Sequence, residues 1–327
     1  MPPGFSERIG EAAVFEAFHF VYAPSPILQA IPAIWLKWIK RAPLVIWVQD
    51  LWPESLQVTG YVKNSMILGI VSALTRWIYH RADLILGQSK AFVREIIPMA
   101  GKVSVEYYPT PGDRPAPPSA SEPALILPAG FNVVFAGNLG TAQALPTVVA
   151  AATALRDRTD IRFVLIGDGS QRDWLVGEIA RVGLANILLP GRFPSQAVPG
   201  ILEQASALLV TLNRSDAMAK VIPAKISTYL AAGKPIIASI DGEGGEVVHE
   251  AGAGIAFPAV DAQALAAAVL ALASADPGVR DAIGRAGRAY FAAHFEPQVL
   301  TRRLVALFDE RDGASALFVG ADVRDEA

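Results

Sequence analysis

The sequence predicts an α/β protein with two domains, each built on a parallel sheet, and the first of the two is expected to be incomplete. Short apolar segments alternate with helical patterns over residues 131–309, as in a parallel sheet covered by helices on both faces. The same alternation before residue 112 provides only about three strands. Seven prolines between Pro109 and Pro128 separate the two regions, which predicts a linker.

The first domain, residues 1–111, begins the alternation with a helix that leads into a buried strand ending at Asp50. Asn64 or Ser65 is placed to cap a second helix, and Ser89 to cap a third. Three strands are fewer than the six of the usual nucleotide-binding sheet, so this domain is expected to lack its first part. Helices are predicted at 27–40, at 64–82 and after Ser89, and strands at 43–49, 84–87 and 103–107.

The second domain, residues 131–295, follows a linker at 112–130 and has six strand patterns, enough for a complete doubly wound sheet. A helix at 296–310 and a polar tail at 311–327 end the chain. The strands are predicted at 131–137, 161–167, 185–191, 207–212, 234–239 and 254–258. The helices are predicted at 142–157, 171–183, 195–204, 223–233, 244–251, 261–274, 277–294 and 296–309.

The composition excludes several classes of protein. The 327 residues are 52% hydrophobic, so the chain can bury a large core and extensive disorder is ruled out. The absence of cysteine excludes a disulfide scaffold, thiolate zinc sites, iron–sulfur clusters and cysteine nucleophiles, and four scattered histidines make a metal site unexpected. With a net charge of -3 and no excess of basic residues, nucleic acid is not an expected partner.

Tryptophan and positive charge are concentrated in the first domain. Residues 1–111 hold 10 Lys and Arg against 8 Asp and Glu, and five of the six Trp lie in the first 80 residues. Trp beside Lys and Arg is typical of a surface that meets lipid headgroups, although a Trp-rich core would have the same composition. No apolar run reaches the length of about 20 residues that a spanning helix needs, and no signal peptide is recognised, so the protein is expected in the cytoplasm.

Glycine-rich and polar loops follow the predicted strands of the second domain. In a parallel sheet such loops meet at one edge, where ligands bind. The loop that contains Gly137 and Gly140 could bring backbone amides to a phosphate, although many ordinary turns have the same spacing. Lys225, in the first turn of its helix, opposes the helix dipole unless an anion binds there, and the alternative is a solvated lysine. Further polar positions are Asp168, Arg192, Asn213, Glu243 and Glu246.

These segments together resemble the donor domain of GT-B glycosyltransferases of family 4, in the branch of the fucosamine and colanic-acid transferases of surface polysaccharides. The resemblance runs from about residue 21 to residue 310 and starts after the first β–α–β stretch of that family. In the second domain it is carried by 136–140 (AGNLG) with 142–143 (AQ), 166–169 (IGDG), 189–192 (LPGR), 223–225 (PAK), 229–237 (YLAAGKPII) and 242–243 (GE), and in the first by 50–55 (DLWPES) and 81–83 (RAD).

The resemblance implies a retaining transfer of a sugar from a nucleotide-diphosphate donor, without a metal or another cofactor, between two Rossmann-like domains. Lys225 and the loop from Gly137 to Gly140 would hold the diphosphate. Asp50 would face the sugar, with Glu54 as the second choice, whereas a helix N-cap and a surface charge are the alternatives for these two residues. The full set implied for donor binding is Gly137, Asn138, Gly140, Gly167, Asp168, Gly191, Arg192, Phe193, Thr228, Glu243 and Glu246.

Within that set, Gly191, Arg192 and Phe193 would border the base, and Glu246 would lie near the sugar or its phosphates. The family commonly has two glutamates eight positions apart, where this chain has Lys220 and Thr228. Ribose contacts must therefore come from elsewhere.

The favoured function is a cytoplasmic glycosyltransferase that acts on a lipid-linked acceptor in the assembly of capsule, O-antigen (lipopolysaccharide) or exopolysaccharide. A peripheral position on the inner face of the plasma membrane would suit this acceptor. A nucleotide-sugar-binding remnant or partner subunit without turnover is the first alternative, and donor binding without transfer would identify it. A nucleotide-sugar epimerase is the second, and sugar isomerisation without an acceptor would identify it.

Overall fold

The computed structural model describes residues 19–23, 26–58, 64–112 and 125–312. It divides into two compact units. Of the described residues, one unit contains those up to Tyr108 together with those from Thr301 onward, and the other contains those between Pro109 and Leu300. Most of the predicted linker and tail lies outside the described residues.

The first unit is a four-stranded parallel sheet with the order β1-β2-β3-β4. The three predicted strands are present, and a fourth, at the start of the described chain, precedes them. The strands are β1 (His19–Ala23), β2 (Leu44–Val48), β3 (Leu84–Gly87) and β4 (Ser104–Tyr107).

The helices of the first unit follow the predicted positions, with one short addition after β2. The predicted caps are confirmed: the Asn64 side chain accepts a hydrogen bond from the Met66 amide at 2.9 Å, and the Ser89 hydroxyl accepts one from the Phe92 amide at 3.0 Å. The helices are α1 (Ala30–Lys40), α2 (Glu54–Val58), α3 (Ser65–Tyr79) and α4 (Lys90–Ala100).

The second unit has the predicted six strands in one parallel sheet with the order β10-β9-β8-β5-β6-β7. The strand order reverses between β5 and β8, which makes that boundary the topological switch point where ligands bind in open α/β sheets. The strands are β5 (Phe131–Ala136), β6 (Ile161–Ile166), β7 (Ile187–Gly191), β8 (Ala207–Thr211), β9 (Ile236–Ser239) and β10 (Gly254–Phe257).

Helices cover both faces of this sheet because side chains alternate along each strand. Val133 and Phe135 point into a core beneath one group of helices, and Val134 points into a second core on the other face. The helices are α5 (Leu145–Ala154), α6 (Arg172–Val182), α7 (Val198–Leu202), α8 (Asp216–Ala219), α9 (Ala224–Ala232), α10 (Glu243–Glu250), α11 (Ala262–Ser274) and α12 (Pro277–His294). A last helix, α13 (Pro297–Asp312), starts in this unit and from Thr301 onward belongs to the first.

The tryptophans divide between the two alternatives that composition left open. Trp47 on β2 is buried in the first unit, where its ring meets Tyr108 edge-on and its Nε1 donates to the Tyr108 carbonyl oxygen at 3.1 Å. Trp35 and Trp38 on α1 are 60% and 79% exposed. The alternative that the tryptophans all belong to the core is therefore wrong for Trp35 and Trp38.

Candidate functional site

A cavity of about 550 Å³ opens at the carboxyl ends of β5 and β6 in the second unit, beside the switch point. The loop after β7, helix α7 and the first turns of α9 complete its wall. Of the residues that the sequence predicts for the site, it brings together Gly137, Asn138, Gly167, Asp168, Arg192, Phe193, Lys225 and Thr228.

Two glycine loops of this cavity are packed directly against each other. The Gly137 amide donates to the Ile166 carbonyl oxygen at 2.9 Å, and the Leu139 amide donates to the Asp168 carbonyl oxygen at 2.8 Å. A Cβ atom on Gly167 would lie 1.8 Å from the Gly137 carbonyl oxygen, so only glycine fits there. The expectation that the Gly137 loop turns its amides toward a phosphate is therefore wrong for these two amides, because they join the two loops.

Lys225 crosses over the end of β5 at Gly137. A Cβ atom on Gly137 would lie 2.8 Å from Lys225 Cε, so the missing side chain opens the path that the lysine takes. Beyond it, the ammonium donates to Gln143 Oε1 at 2.7 Å and lies 3.6 Å from the centroid of the Phe135 ring. The alternative of a freely solvated lysine is therefore excluded.

Burial lowers the pKa of Lys225 to about 7. The hydrogen bond to Gln143 and the aromatic ring of Phe135 favour the protonated form and oppose this effect. Near neutral pH the group can therefore be poised between an ammonium ion and a neutral amine. A bound anion would stabilise the ammonium form.

The first turn of α9 also faces this cavity. Pro223 precedes the helix without a side-chain cap, and Ala224, Lys225 and Thr228 line the cavity wall. The Thr228 hydroxyl donates to the Ala224 carbonyl oxygen at 3.3 Å. The positive end of the helix dipole and the Lys225 side chain thus favour negative charge at the same place.

Two residues that belong to the family-like segments, but were not predicted as site residues, hold this arrangement. Gln143 accepts the hydrogen bond from Lys225, and the buried hydroxyl of Tyr229 accepts a hydrogen bond from the Ala136 amide at 2.9 Å. Tyr229 lies four residues after Lys225 and therefore on the same face of α9. It fixes the helix to the last residue of β5, directly before Gly137. The helical spacing from Lys225 was the available signal for Tyr229.

The loop after β7 supplies an aromatic side chain and a positive charge. Phe193 is half-buried against the core, and Arg192 is exposed. Gly191 does not line the cavity, but its carbonyl oxygen accepts a hydrogen bond from the Gly167 amide at 2.9 Å. The loop is thereby joined to the neighbouring glycine loop.

Three further predicted residues do not line this cavity. Gly140 is buried and precedes the helical turn Thr141–Gln143, and a Cβ atom there would lie 2.7 Å from the Asn138 side-chain nitrogen. Glu243 is 3% exposed in the first turn of α10, and Glu246 is exposed one turn later. The predicted contacts of Glu243 and Glu246 with a donor therefore have no support from the lining of this cavity.

Asp50 and Glu54 belong to the first unit. Asp50 follows β2, and burial raises the pKa of its carboxyl group. Glu54 is the first residue of α2, so Pro53 rather than Asp50 precedes that helix, and the N-cap alternative for Asp50 is excluded. Burial, with a smaller contribution from the negative charge of Glu54, raises the pKa of Tyr79.

Over the described ranges, no group of three or more histidine, aspartate or glutamate side chains is arranged to hold a metal ion. In those same ranges no single helix is long and apolar enough to cross a membrane, although Ala262–Ser274 and Pro277–Phe308, bent by 114°, meet the criteria of length and composition as a pair.

Comparison with solved structures defines the fold as GT-B. Anabaena HepE in complex with UDP aligns with a TM-score of 0.71 and 16% identity, over 93% of this chain and 81% of that one. Sucrose-phosphate synthase from Thermosynechococcus elongatus aligns with a TM-score of 0.68 and 19% identity, over 95% of this chain and 77% of that one.

Sequence comparison then identifies the domain that carries the cavity. Residues 130–275 match the family model described as Glycosyl transferases group 1, so this chain contains a glycosyl transferases group 1 domain. A colanic acid biosynthesis glycosyl transferase, WcaI of Escherichia coli K12, is 25% identical over 252 residues. That alignment covers 69% of this chain and 61% of WcaI. Glycogen synthase of Mycobacterium tuberculosis is 26% identical over 84% of this chain and 64% of its own length.

Proposed function

We propose that this protein is a glycosyltransferase that takes a sugar from a nucleotide-diphosphate donor bound in the cavity of the second unit. One observation carries the proposal: Lys225 and the first turn of α9 provide positive charge on the wall of a cavity at the switch point of a glycosyl transferases group 1 domain. The UDP complex of HepE, which has the same fold, supports a nucleotide as the ligand.

The chemistry follows from where charge develops during transfer. The bond between the anomeric carbon and the diphosphate breaks as an acceptor hydroxyl oxygen bonds to that carbon, and the hydroxyl proton passes to the departing diphosphate. Negative charge grows on the diphosphate before this proton arrives. A fixed ammonium and an oriented helix terminus stabilise that charge without having to reorganise. In this proposal Lys225 and the α9 N-terminus stabilise the leaving group, while Phe193 and Arg192 lie near the base. No metal ion is assigned to this step.

The first unit would contribute the polar groups on the sugar side. Asp50 is the favoured residue for this role and Glu54 the second, and the configuration at the anomeric carbon would be retained. The acceptor is proposed to be a lipid-linked glycan of a surface polysaccharide, which the similarity to WcaI supports. The reaction would take place on the cytoplasmic side of the membrane.

The test first determines which nucleoside diphosphate the chain binds, and then uses nucleotide sugars with the same base as donors. Each is incubated with the purified chain and a polyprenyl-diphosphate-linked monosaccharide, and released nucleoside diphosphate and lipid-linked product are measured. Acceptor-dependent release with retained anomeric configuration is expected, and the reaction without acceptor is the control. Tight donor binding without release in a folded protein would instead identify a nucleotide-sugar-binding protein.

A further inference from the structure

The first unit exposes large apolar side chains on two helices that contact each other, α1 and α3. On α1, Trp35, Trp38 and Ile39 share one helical face, and on α3 Met66 and Ile70 do so. These five residues are called the Trp face, and their exposed fractions range from 60% to 79%. Apolar patches of this kind on a soluble protein mark interaction sites.

Helix α1 buries small side chains and exposes its largest ones. The buried residues of α1 are Ala30 and Ala33, whereas its tryptophans are exposed. On α3, burial is confined to the last turns, at Thr75, Ile78 and Tyr79. A helix that served only the core would show the reverse pattern. The exposed apolar side chains of the Trp face do not contribute to the core of the described chain, so another role must explain them.

A cavity of about 660 Å³ adjoins the Trp face and adds positive charge to it. Trp35 and Trp38 line this cavity together with Trp77 from the end of α3. Its charged lining residues are Lys37, Arg41, Arg81 and Asp83, with His80 beside them.

The charges around this cavity are predominantly basic. The one acidic side chain in its lining, Asp83, forms an ion pair with Lys37 at 2.7 Å. Arg41 and Arg81 add positive charge to the lining, and the Arg81 guanidinium lies 5.0 Å from the centroid of the Trp77 ring. Indole rings beside basic side chains are favoured at the boundary between lipid headgroups and acyl chains.

We infer that the Trp face is a docking surface for an anionic lipid bilayer, with its tryptophans at headgroup level and the neighbouring arginines and lysines on lipid phosphates. Lys40 and Arg76 add two more exposed cations at the ends of α1 and α3. A second copy of the chain is a poorer occupant, because a symmetric contact would bring these like charges together. This inference goes beyond the proposed function, since it concerns the first unit and needs no bound nucleotide.

The test is sedimentation of the purified chain with vesicles. Vesicles of phosphatidylcholine alone are compared with vesicles that contain equal amounts of phosphatidylcholine and phosphatidylglycerol. The chain should sediment with the anionic vesicles and much less with the neutral ones. Added salt should weaken this binding, because it screens the cationic contribution.

Two variants separate the contributions of aromatic rings and charge. The double variant Trp35→Ser with Trp38→Ser should weaken binding to anionic vesicles about a hundredfold, because two large apolar side chains no longer enter the interface. The double variant Lys40→Gln with Arg41→Gln should weaken it about thirtyfold, as expected for two cations near an anionic surface. Trp174→Ser is the matched control, because Trp174 is 39% exposed on α6 of the other unit, and it should bind as the wild type does.

Each variant is checked for its circular dichroism spectrum and for nucleotide binding, so that a failed fold or a failed donor site is recognised independently of lipid binding. The inference would be overturned if the wild-type chain sedimented with neither kind of vesicle. So would sedimentation of the Trp35 and Trp38 double variant at the wild-type level. A change in oligomeric mass of that variant, without vesicle binding by the wild type, would assign the Trp face to a second copy.

Discussion

Replacement of Lys225 by methionine tests the positive charge of the proposed donor site. The substitution keeps much of the side-chain volume beside Gly137 and Phe135 but removes the ammonium ion. A charge-assisted hydrogen bond contributes about 1.5–3 kcal/mol, so the affinity for a nucleoside diphosphate should fall about ten- to 150-fold. Calorimetric titration measures this directly. Lys234→Met, at the other end of α9 and outside this cavity, is the matched control and should leave the affinity unchanged.

The pH dependence of the same affinity distinguishes a charge effect from a packing effect. Burial lowers the pKa of Lys225 to about 7 in the free protein, so the ammonium form is lost as the pH rises from 7 to 9. Wild-type affinity for a nucleotide sugar, whose diphosphate does not titrate in this range, should fall by up to about tenfold per pH unit. The affinity of Lys225→Met should be flat over the same range.

The stability of the fold should rise over the pH range in which the nucleotide affinity falls. Between the lowered pKa of about 7 in the folded state and the ordinary value in the unfolded state, the unfolded chain binds the proton more tightly. The free energy of unfolding of the wild type, relative to Lys225→Met, should therefore rise as the pH increases from 7 toward 10. Equal nucleotide affinity in the wild type and Lys225→Met, or an equal loss in Lys234→Met, would refute the placement of Lys225 at the diphosphate.

Three further substitutions test how the site is held and used. Tyr229→Phe leaves the amide at the end of β5 without its partner, so thermal unfolding should show a free energy of unfolding lower by about 1–3 kcal/mol. Tyr290→Phe is the control, because its hydroxyl pairs with an exposed glutamate and its loss should change the stability little. Gly167→Ala should abolish folding, seen in a melting experiment, or nucleotide binding, seen in a titration, because its Cβ atom would overlap the adjoining glycine loop. Gly177→Ala is the control: its Cβ atom meets open space within α6, and it should stabilise the chain by up to about 1 kcal/mol. Asp50→Asn should abolish transfer but keep nucleotide affinity, and unchanged turnover would remove Asp50 from the proposed sugar side.

The sheet of the second unit was predictable because buried parallel strands form continuous apolar segments with glycine and proline at their ends. Strand β1 was missed, since its five residues continue a stretch of apolar and aromatic residues without a clear boundary. Short apolar runs of this kind do not distinguish a strand from a helix. Helix α2 was missed because five residues are too few to show a helical period.

The loops of the site were predictable because each follows a recognisable strand. The contacts within the site were not. Gln143 is 82 residues before its partner Lys225, and Tyr229 is 93 residues after the Ala136 amide that it holds, so no local pattern connects either pair. The same limit applies to the two glycines: a Cβ atom on Gly137 would meet the Lys225 side chain, and one on Gly167 would meet the Gly137 carbonyl oxygen. The exposure of Trp35 and Trp38 likewise depends on which side of α1 meets the sheet.

Titration of the purified, folded chain with UDP and then with GDP tests the central claim most directly. We expect one of the two to bind with a dissociation constant on the order of micromolar, in the range usual for enzyme substrates. Binding of one and not the other would identify the base of the donor. Absence of binding to either nucleotide, in a chain whose melting curve shows a cooperative fold, would contradict the claim that this cavity is a nucleotide-sugar site.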